Sequence, residues 1–422
     1  MMLSKFFMLS ALFLTVFSIK LQAQKDSIKV SAEGKNTSRE AFLERLAGFP
    51  SDSIFELHIE NMGFDELPDI RRFTHITGIY AQGNNLTSIK LKRKNAKHIR
   101  VLELENNKLI KVRVPRMPRL RSFSLPDNPI KKLPARIFSS DSLRYLDIRY
   151  THIGKLPPRM KRCKSINELL IRNNPFELNK KNIRRMRHVK TLQLAALDLD
   201  SLPPYFSRLT ELQRLTIAFC SLHDLPAGFD SLRNLRTLIL YSDSFTTIPQ
   251  VVYRLPQLEH LDFYYNRILY IPQGISSLKK LKYLYLSYNS ISVIPDEFQK
   301  LGALQKLYMH HNNIEYVPEW MGKMKNLKIL DLGFNSISKL PDLSGMTALE
   351  EVDFRHNGLT DFPFVFLTLP NTRLIFLKDN PFEFSKKELE ELQALLGKYY
   401  ARKGRLIWGS SKFKDGKFKV QR

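Results

Sequence analysis

Between Phe219 and His356 the chain carries side chains that can ligate metals, move protons or stack. They are His310, His311 and His356, the carboxylates Asp262, Asp331 and Asp353, and the rings of Phe219, Tyr241, Tyr264, Tyr265, Tyr283, Tyr285, Tyr288, Tyr308 and Phe334. Imidazole with carboxylate is a ligand set for zinc and a couple for proton transfer. Both chemistries require several groups converging on one point, oriented by outer partners and closed off from water. No Ser-His-Asp or Cys-His arrangement, glycine-rich phosphate loop or paired-carboxylate spacing fits a pocket here. The elements that position these residues therefore decide what they can do.

Those elements are repeats. Four consecutive segments from Leu258 can be stacked: LEHLDFYYNRILYIPQGISSLKK, LKYLYLSYNSISVIPDEFQKLGA, LQKLYMHHNNIEYVPEWMGKMKN and LKILDLGFNSISKLPDLSGMTA. With Leu281 as offset 0, the apolar residues at offsets 0, 3 and 5 (Leu281, Leu284, Leu286) suit a short strand that turns inward at both ends. Asn289 at offset 8 can bond backbone groups in the turn leaving the strand and in neighbouring coils. Pro295 at offset 14 has no N–H to leave unpaired, and Phe298 and Leu301 at offsets 17 and 20 give the far side its own apolar stripe. No single repeat buries these residues alone, so neighbours must stack.

The pattern LxxLxLxxNxIxxIP resembles the leucine-rich repeat family, in its 23-residue subclass, and exported bacterial members of it in particular. About fifteen repeats begin from Ile54 to Thr372; Asn holds offset 8 in ten of them and Pro offset 14 in eleven, so the register does not drift. The expected fold is an α/β leucine-rich repeat solenoid, a horseshoe with about fifteen parallel strands on the concave face. Irregular or short helical turns line the convex face, and both ends are capped. The second, third and sixth repeats lack the Pro, and LNKKNIRRMRH in the sixth suits a helical turn.

Residues 1–24 read as a secretory signal peptide: Lys5, an apolar core from Phe6 to Ile19, and a small-residue exit at Ala23. Without a nearby Cys there is no lipoprotein anchor, and no later run is long enough to span a membrane. The expected location is therefore periplasmic, outer-membrane surface or extracellular. Residues 25–53, with Ser38 as a helix cap before Phe42, Leu43 and Leu46, read as the N-terminal cap. Residues 54–384 form the repeat domain, and 385–422 a cap helix, with Leu389, Leu392, Leu395 and Leu396 at helical spacing, followed by a basic tail. Cys163 and Cys220 lie three repeats apart, roughly 15 Å at a strand spacing of about 4.8 Å. A disulfide tolerates roughly 7 Å between Cα atoms, so both read as buried free thiols.

The net charge is +26, and +22 of it lies between Ser88 and Lys190, with 29 Lys plus Arg against 7 Asp plus Glu. This excess is either a solvated convex face or a patch for an anionic partner such as lipid or polysaccharide. Export argues against nucleic acid.

The family resemblance implies that offsets 2, 4, 6 and 7 face the concave side. In the eighth to thirteenth repeats nine of those 24 positions are aromatic, where the chain average of 11% predicts two or three. Aromatics also stabilise strands, but that role would enrich every repeat, and the first seven repeats show only the average. A binding surface is the better reading. The candidate ligand-binding residues are the nine rings named above with His310, His311 and His356. An open concave sheet offers no depth, so no metal, cofactor or catalysis is expected. The chain reads as an exported, non-enzymatic protein that binds a protein or peptide on its concave face. The alternative is an envelope component held on anionic lipid or polysaccharide through residues 88–190.

Overall fold

A computed structural model describes residues 28–30, 38–51 and 53–408. The segment read as a signal peptide and the last fourteen residues of the tail lie outside them. Fifteen repeat strands, from Ile54–His58 to Leu374–Phe376, pair side by side in parallel to line the concave face. Register follows the repeat: Leu261, Leu284, Leu307 and Leu330 are successive neighbours, and each is fully buried. Offsets 3 and 5 thus stack into continuous apolar columns, and the convex residues Phe298 and Leu301 close the core from the other side.

On the convex side, Pro at offset 14 immediately precedes a 3-10 turn in eight repeats, for example Pro295 before Asp296–Lys300. Its fixed φ and missing N–H suit the first position of such a turn. Where the Pro is absent the convex side differs. In the second and third repeats Ser88–Lys90 pairs with Lys111–Arg113 in a separate two-stranded sheet. In the sixth, an α-helix, Lys180–Arg185, forms behind Asn179, whose side chain accepts from Lys181 N and Asn182 N.

The ends extend the sheet as well as cover it, giving seventeen strands in all. Ile28–Val30 pairs with the first repeat strand. The helix Arg39–Gly48, capped by Ser38, buries Phe42 and Leu46, whereas Leu43 lies at the surface. At the other end the helix Lys386–Ala401 opens with a reciprocal Ser385–Glu388 capping box and buries Leu392, Leu396 and Tyr399. The chain then returns as a strand, Arg405–Ile407, beside the last repeat. Trp408 packs against Phe362, Phe382 and Phe384, with ring centroids 5.4–6.0 Å apart. Helical spacing announced the cap helix; the strand and the Trp408 anchor had no sequence signal. Cys163 and Cys220 are buried and free.

Offset 8 ties repeat to repeat. Asn289 Nδ2 donates to Phe263 O of the preceding repeat at 2.9 Å and to Leu286 O of its own at 3.0 Å, while its Oδ1 accepts from Ile268 N at 2.9 Å. Asn312 and Asn335 repeat the same three bonds one and two coils on. The ladder is interrupted where offset 8 is Leu197, Cys220 or Asp243. Asp243 copies only the accepting half, taking Cys220 N at 2.8 Å and Leu222 N at 3.2 Å, and its other oxygen is buried without a partner. Burial pushes this carboxyl up to about 6, against the opposing pull of those N–H groups.

Replacing Asn289 with Leu strands two carbonyls and one N–H and should cost about 2–4 kcal/mol in urea unfolding. Asp243→Asn restores the donor and should raise the urea midpoint at pH 7.5. Because the raised pKa penalises the folded state only where the carboxyl is ionised, that gain should shrink as pH falls from 7.5 to 4. A gain independent of pH would contradict the account.

Candidate functional site

In every one of the fifteen repeats the residue at offset 7 has positive φ, between 46° and 68°. The chain leaves the strand here through a left-handed residue, which in ten repeats is followed by the ladder Asn. Early repeats fill the position with types that tolerate it: Asn61, Gly83, Asn106, Asp127 and Asn173. At Gly83 a Cβ would meet the Asn61 side-chain oxygen at 2.0 Å, a contact from which that side chain would have to swing away. Later repeats place bulky rings in the same conformation: Phe219, Tyr265, Tyr288, His311, Phe334 and His356. A left-handed conformation is an outlier for side chains of that size.

Because all these residues share one backbone geometry, their side chains leave in one direction and form a column. Tyr265–Tyr288, Tyr288–His311, His311–Phe334 and Phe334–His356 stack with centroids 4.2, 4.0, 4.0 and 4.1 Å apart and planes within 21° of parallel. The faces of these rings cover each other and their edges form the surface.

A second group rises from offset 6. Tyr241 stacks on Tyr264 at 5.4 Å, and Tyr264 meets His310 edge-on at 5.9 Å across the fully buried Ser287. A third comes from offsets 2 and 4, where Tyr285 stacks on Tyr308 at 4.8 Å. Tyr283 lies further out, 5.9 Å from His260 and 5.7 Å from the Lys306 ammonium. Of the twelve predicted residues, Tyr241, Tyr264, Tyr265, Tyr288, His310, His311, Phe334 and His356 form one contiguous network joined to Phe219 through Tyr241 (5.2 Å). Tyr283, Tyr285 and Tyr308 sit together one row away.

Sequence reasoning missed two neighbours. His260 stacks on Tyr285 at 4.9 Å. The Arg172 guanidinium lies 5.4 Å from the Tyr150 ring and 5.4 Å from the Phe219 ring. Only the two aromatics flanking Arg172 at repeat spacing could have signalled it.

Burial moves Asp262, Asp331, His260 and His310 of this face toward their neutral forms. Asp262, Asp331 and Asp353 each accept from a backbone N–H two residues on, at 2.8, 3.2 and 2.9 Å, which shapes the strand exit. Burial raises Asp262 to about 7; burial and then the Asp353 charge raise Asp331 to about 8. Burial lowers His310 to about 3 and His260 to about 4. Tyr285 is lifted to about 12 by burial and by Asp262. His310 Nε2 is 3.9 Å from Asp331, whereas His356 turns away to Asp379 at 2.9 Å. These groups therefore do not converge, and among the described residues no cluster of three His, Cys, Asp or Glu could hold a metal.

The basic region lies elsewhere. Its exposed cations sit on the convex turns, including Pro158–Arg162 and Lys180–Arg185. Of its 29 cations only Arg149 is within ion-pair range of a carboxylate among the described residues. A cleft of about 290 Å³ is lined by Lys180, Arg184, Arg187 and Arg208 over Ile183 and Tyr205.

The sequence profile of the leucine rich repeat family matches residues 256–314, and a profile of two such repeats matches 302–345. No curated protein sequence matches the chain. Among solved structures, a leucine-rich repeat protein of Leptospira interrogans superposes with a TM-score of 0.72 at 24% identity, covering 88% of this chain and 99% of that one. An internalin of Listeria monocytogenes gives 0.55 at 18% identity, over 80% and 88%. The TLR13–ssRNA13 complex gives 0.62 at 20% identity, over 84% of this chain and 54% of that one.

The electrostatics predict distinct histidine titrations. By NMR, the His310 ring should keep its neutral chemical shifts from pH 8 to 5, since burial holds it near 3. His58, hydrogen-bonded by Glu60 at 2.8 Å and Glu56 at 3.4 Å, should titrate above its usual 6.5. A His310 transition near pH 6.5 would contradict the burial of this face.

Proposed function

We propose that this chain, which belongs to the leucine-rich repeat proteins, is an exported, non-enzymatic recognition protein that grips a protein or peptide ligand on its concave face. The observation that carries the reading is the offset-7 column. Holding a bulky residue left-handed costs about 1–2 kcal/mol, and stacking returns about 0.5–1.5 kcal/mol per ring pair. The column is therefore near neutral for the fold, and Asn at those positions, as in earlier repeats, would serve the backbone better. Strained residues of this kind cluster where a ligand is bound.

A surface of tyrosine edges and imidazole suits a polypeptide. Tyr and Trp supply rigid contact area with a polar tip, and a curved solenoid presents such a surface over many repeats. A phosphate backbone calls instead for Lys and Arg along its track, and the concave positions of the eighth to fourteenth repeats hold three, Arg214, Lys306 and Arg355, each in a different part of the face. Export is supported by the sequence alone, through the basic start and apolar core of residues 1–24. Among the described residues no helix is long and apolar enough to cross a membrane.

The unpaired convex cations and their cleft support a second reading, association of the basic region with anionic lipid or polysaccharide. The two readings place their partners on opposite faces and differ in salt response.

The test compares wild-type protein with a Tyr288→Asn/Phe334→Asn double variant as bait in the envelope and medium of the source organism, at low and high salt. The expected result is a partner that survives high salt, falls at least ten-fold with the double variant, and leaves the urea midpoint almost unchanged. A partner retained by the variant sinks the concave assignment. A loss of several kcal/mol in stability would make the column a structural device. Material released only by salt would favour the convex surface.

A further inference from the structure

The aromatic column has one gap. Offset 7 runs Phe219, Ser242, Tyr265, Tyr288, and Ser242 has the same left-handed backbone (φ 52°) as the rings on either side. Its hydroxymethyl group therefore occupies a place in the column that a ring fills in the repeats around it. The rings flanking the gap make no contact with each other, and they are the exposed phenyl and phenol groups of the patch, Phe219 at 42% and Tyr265 at 45%. Tyr241 lies between them as a floor, edge to face with both, at 5.2 and 6.0 Å.

A comparable gap at offset 6 behaves differently. There Ser287 separates Tyr264 from His310, and those two rings lean together to 5.9 Å, leaving Ser287 fully buried. A serine in an aromatic column is thus not enough to leave a space; at Ser242 the flanking rings meet Tyr241 and not each other.

Its width sets what fits. Successive rings in the column are 4.0–4.2 Å apart. Two such steps amount to about 8 Å, the separation that one planar ring stacked on both faces needs, with Tyr241 bounding the gap on its inner side at 5.2 and 6.0 Å so that the ring enters from the open side.

The charge beside the gap selects among planar groups. On the N-terminal side of Phe219 the Arg172 guanidinium lies 5.4 Å from the ring. Among the described residues no carboxylate lies within ion-pair range of it, and its Nε is buried without a hydrogen-bond partner. An uncompensated cation disfavours a ligand guanidinium or ammonium in the gap and favours a carboxylate next to it. Arg172 lies beyond Phe219 as seen from the gap, so the carboxylate that meets it belongs to a neighbouring residue of an extended peptide, its side chain adding to the about 3.3–3.6 Å that the backbone advances per residue.

We propose that the Ser242 gap is a specificity subsite that accepts one aromatic side chain of an acidic polypeptide segment, clamped between Phe219 and Tyr265, with Arg172 meeting the neighbouring carboxylate. The subsite rests on the concave-face reading above and names the chemistry of the ligand for it.

The test uses three synthetic peptides, acetyl-Asp-Tyr-Asp-amide, acetyl-Asp-Ala-Asp-amide and acetyl-Lys-Tyr-Lys-amide, titrated into wild-type protein and followed by NMR. The first should bind at least ten-fold more tightly than the other two. Ser242→Phe fills the gap with a residue the same backbone already carries at Phe219 and Phe334, and it should abolish the preference for Tyr over Ala. Arg172→Gln should abolish the preference for Asp over Lys and keep the preference for Tyr. Equal binding of the three peptides, binding of none, or a Tyr preference that persists in Ser242→Phe overturns the proposal. The Tyr288→Asn/Phe334→Asn experiment decides the wider reading independently: a natural partner lost in that variant but unaffected by Ser242→Phe refutes the subsite and leaves the concave site standing.

Discussion

One side-chain interaction sets the geometry of this molecule: the carboxamide at the end of each strand that donates to the carbonyls of two coils and accepts from the backbone of one. Asn289, Asn312 and Asn335 each satisfy three backbone groups that would otherwise be buried unpaired in the turn. The bond needs both a donor and an acceptor at a fixed point, which is why Asp243, with only the acceptor, leaves an oxygen stranded and a carboxyl shifted toward its neutral form. Apolar stacking makes the solenoid stable, while the ladder fixes the turn that each coil repeats.

That turn has a consequence on the concave rim. The residue before offset 8 adopts positive φ in all fifteen repeats, the ten that carry the amide and the five that do not, and its side chain is thrown outward in a constant direction. Where the residue is Asn, Gly or Asp, the rim is small and polar. Where it is Tyr, His or Phe, a continuous stack forms with almost no further design, since the backbone has already aligned the rings.

Charge is partitioned between the two sides. The concave aromatic half neutralises its own ionisable groups by burying them, so that Asp331 tends to hold its proton and His310 to shed its own. The excess cations of residues 88–190 sit mainly on convex turns where water solvates them. Arg172 is an exception, a cation on the concave side held by two rings in place of a carboxylate.

The fold was legible from Leu258 to Ala348 alone, because the requirement each repeat satisfies is local and recurs at a fixed period: leucines at offsets 0, 3 and 5, Asn at 8, Pro at 14. The list of concave aromatics followed from the same register, and so did the cap helix that begins at Lys386. Three things waited for the tertiary structure. The strain at offset 7 was hidden in the later repeats, since Tyr, His and Phe do not look like turn residues; Asn61, Gly83 and Asn106 at the same offset carried the hint. Ser242 and Ser287 are the same residue type in the same kind of column, yet the rings around Ser287 meet each other and those around Ser242 meet only Tyr241, because the outcome depends on how neighbouring rings lean. The anchoring of Trp408 among Phe362, Phe382 and Phe384 joins residues from three different turns. A periodic sequence dictates what each coil must bury, whereas ring packing, proton affinity and end closure are sums over neighbours that only the stacked coils bring together.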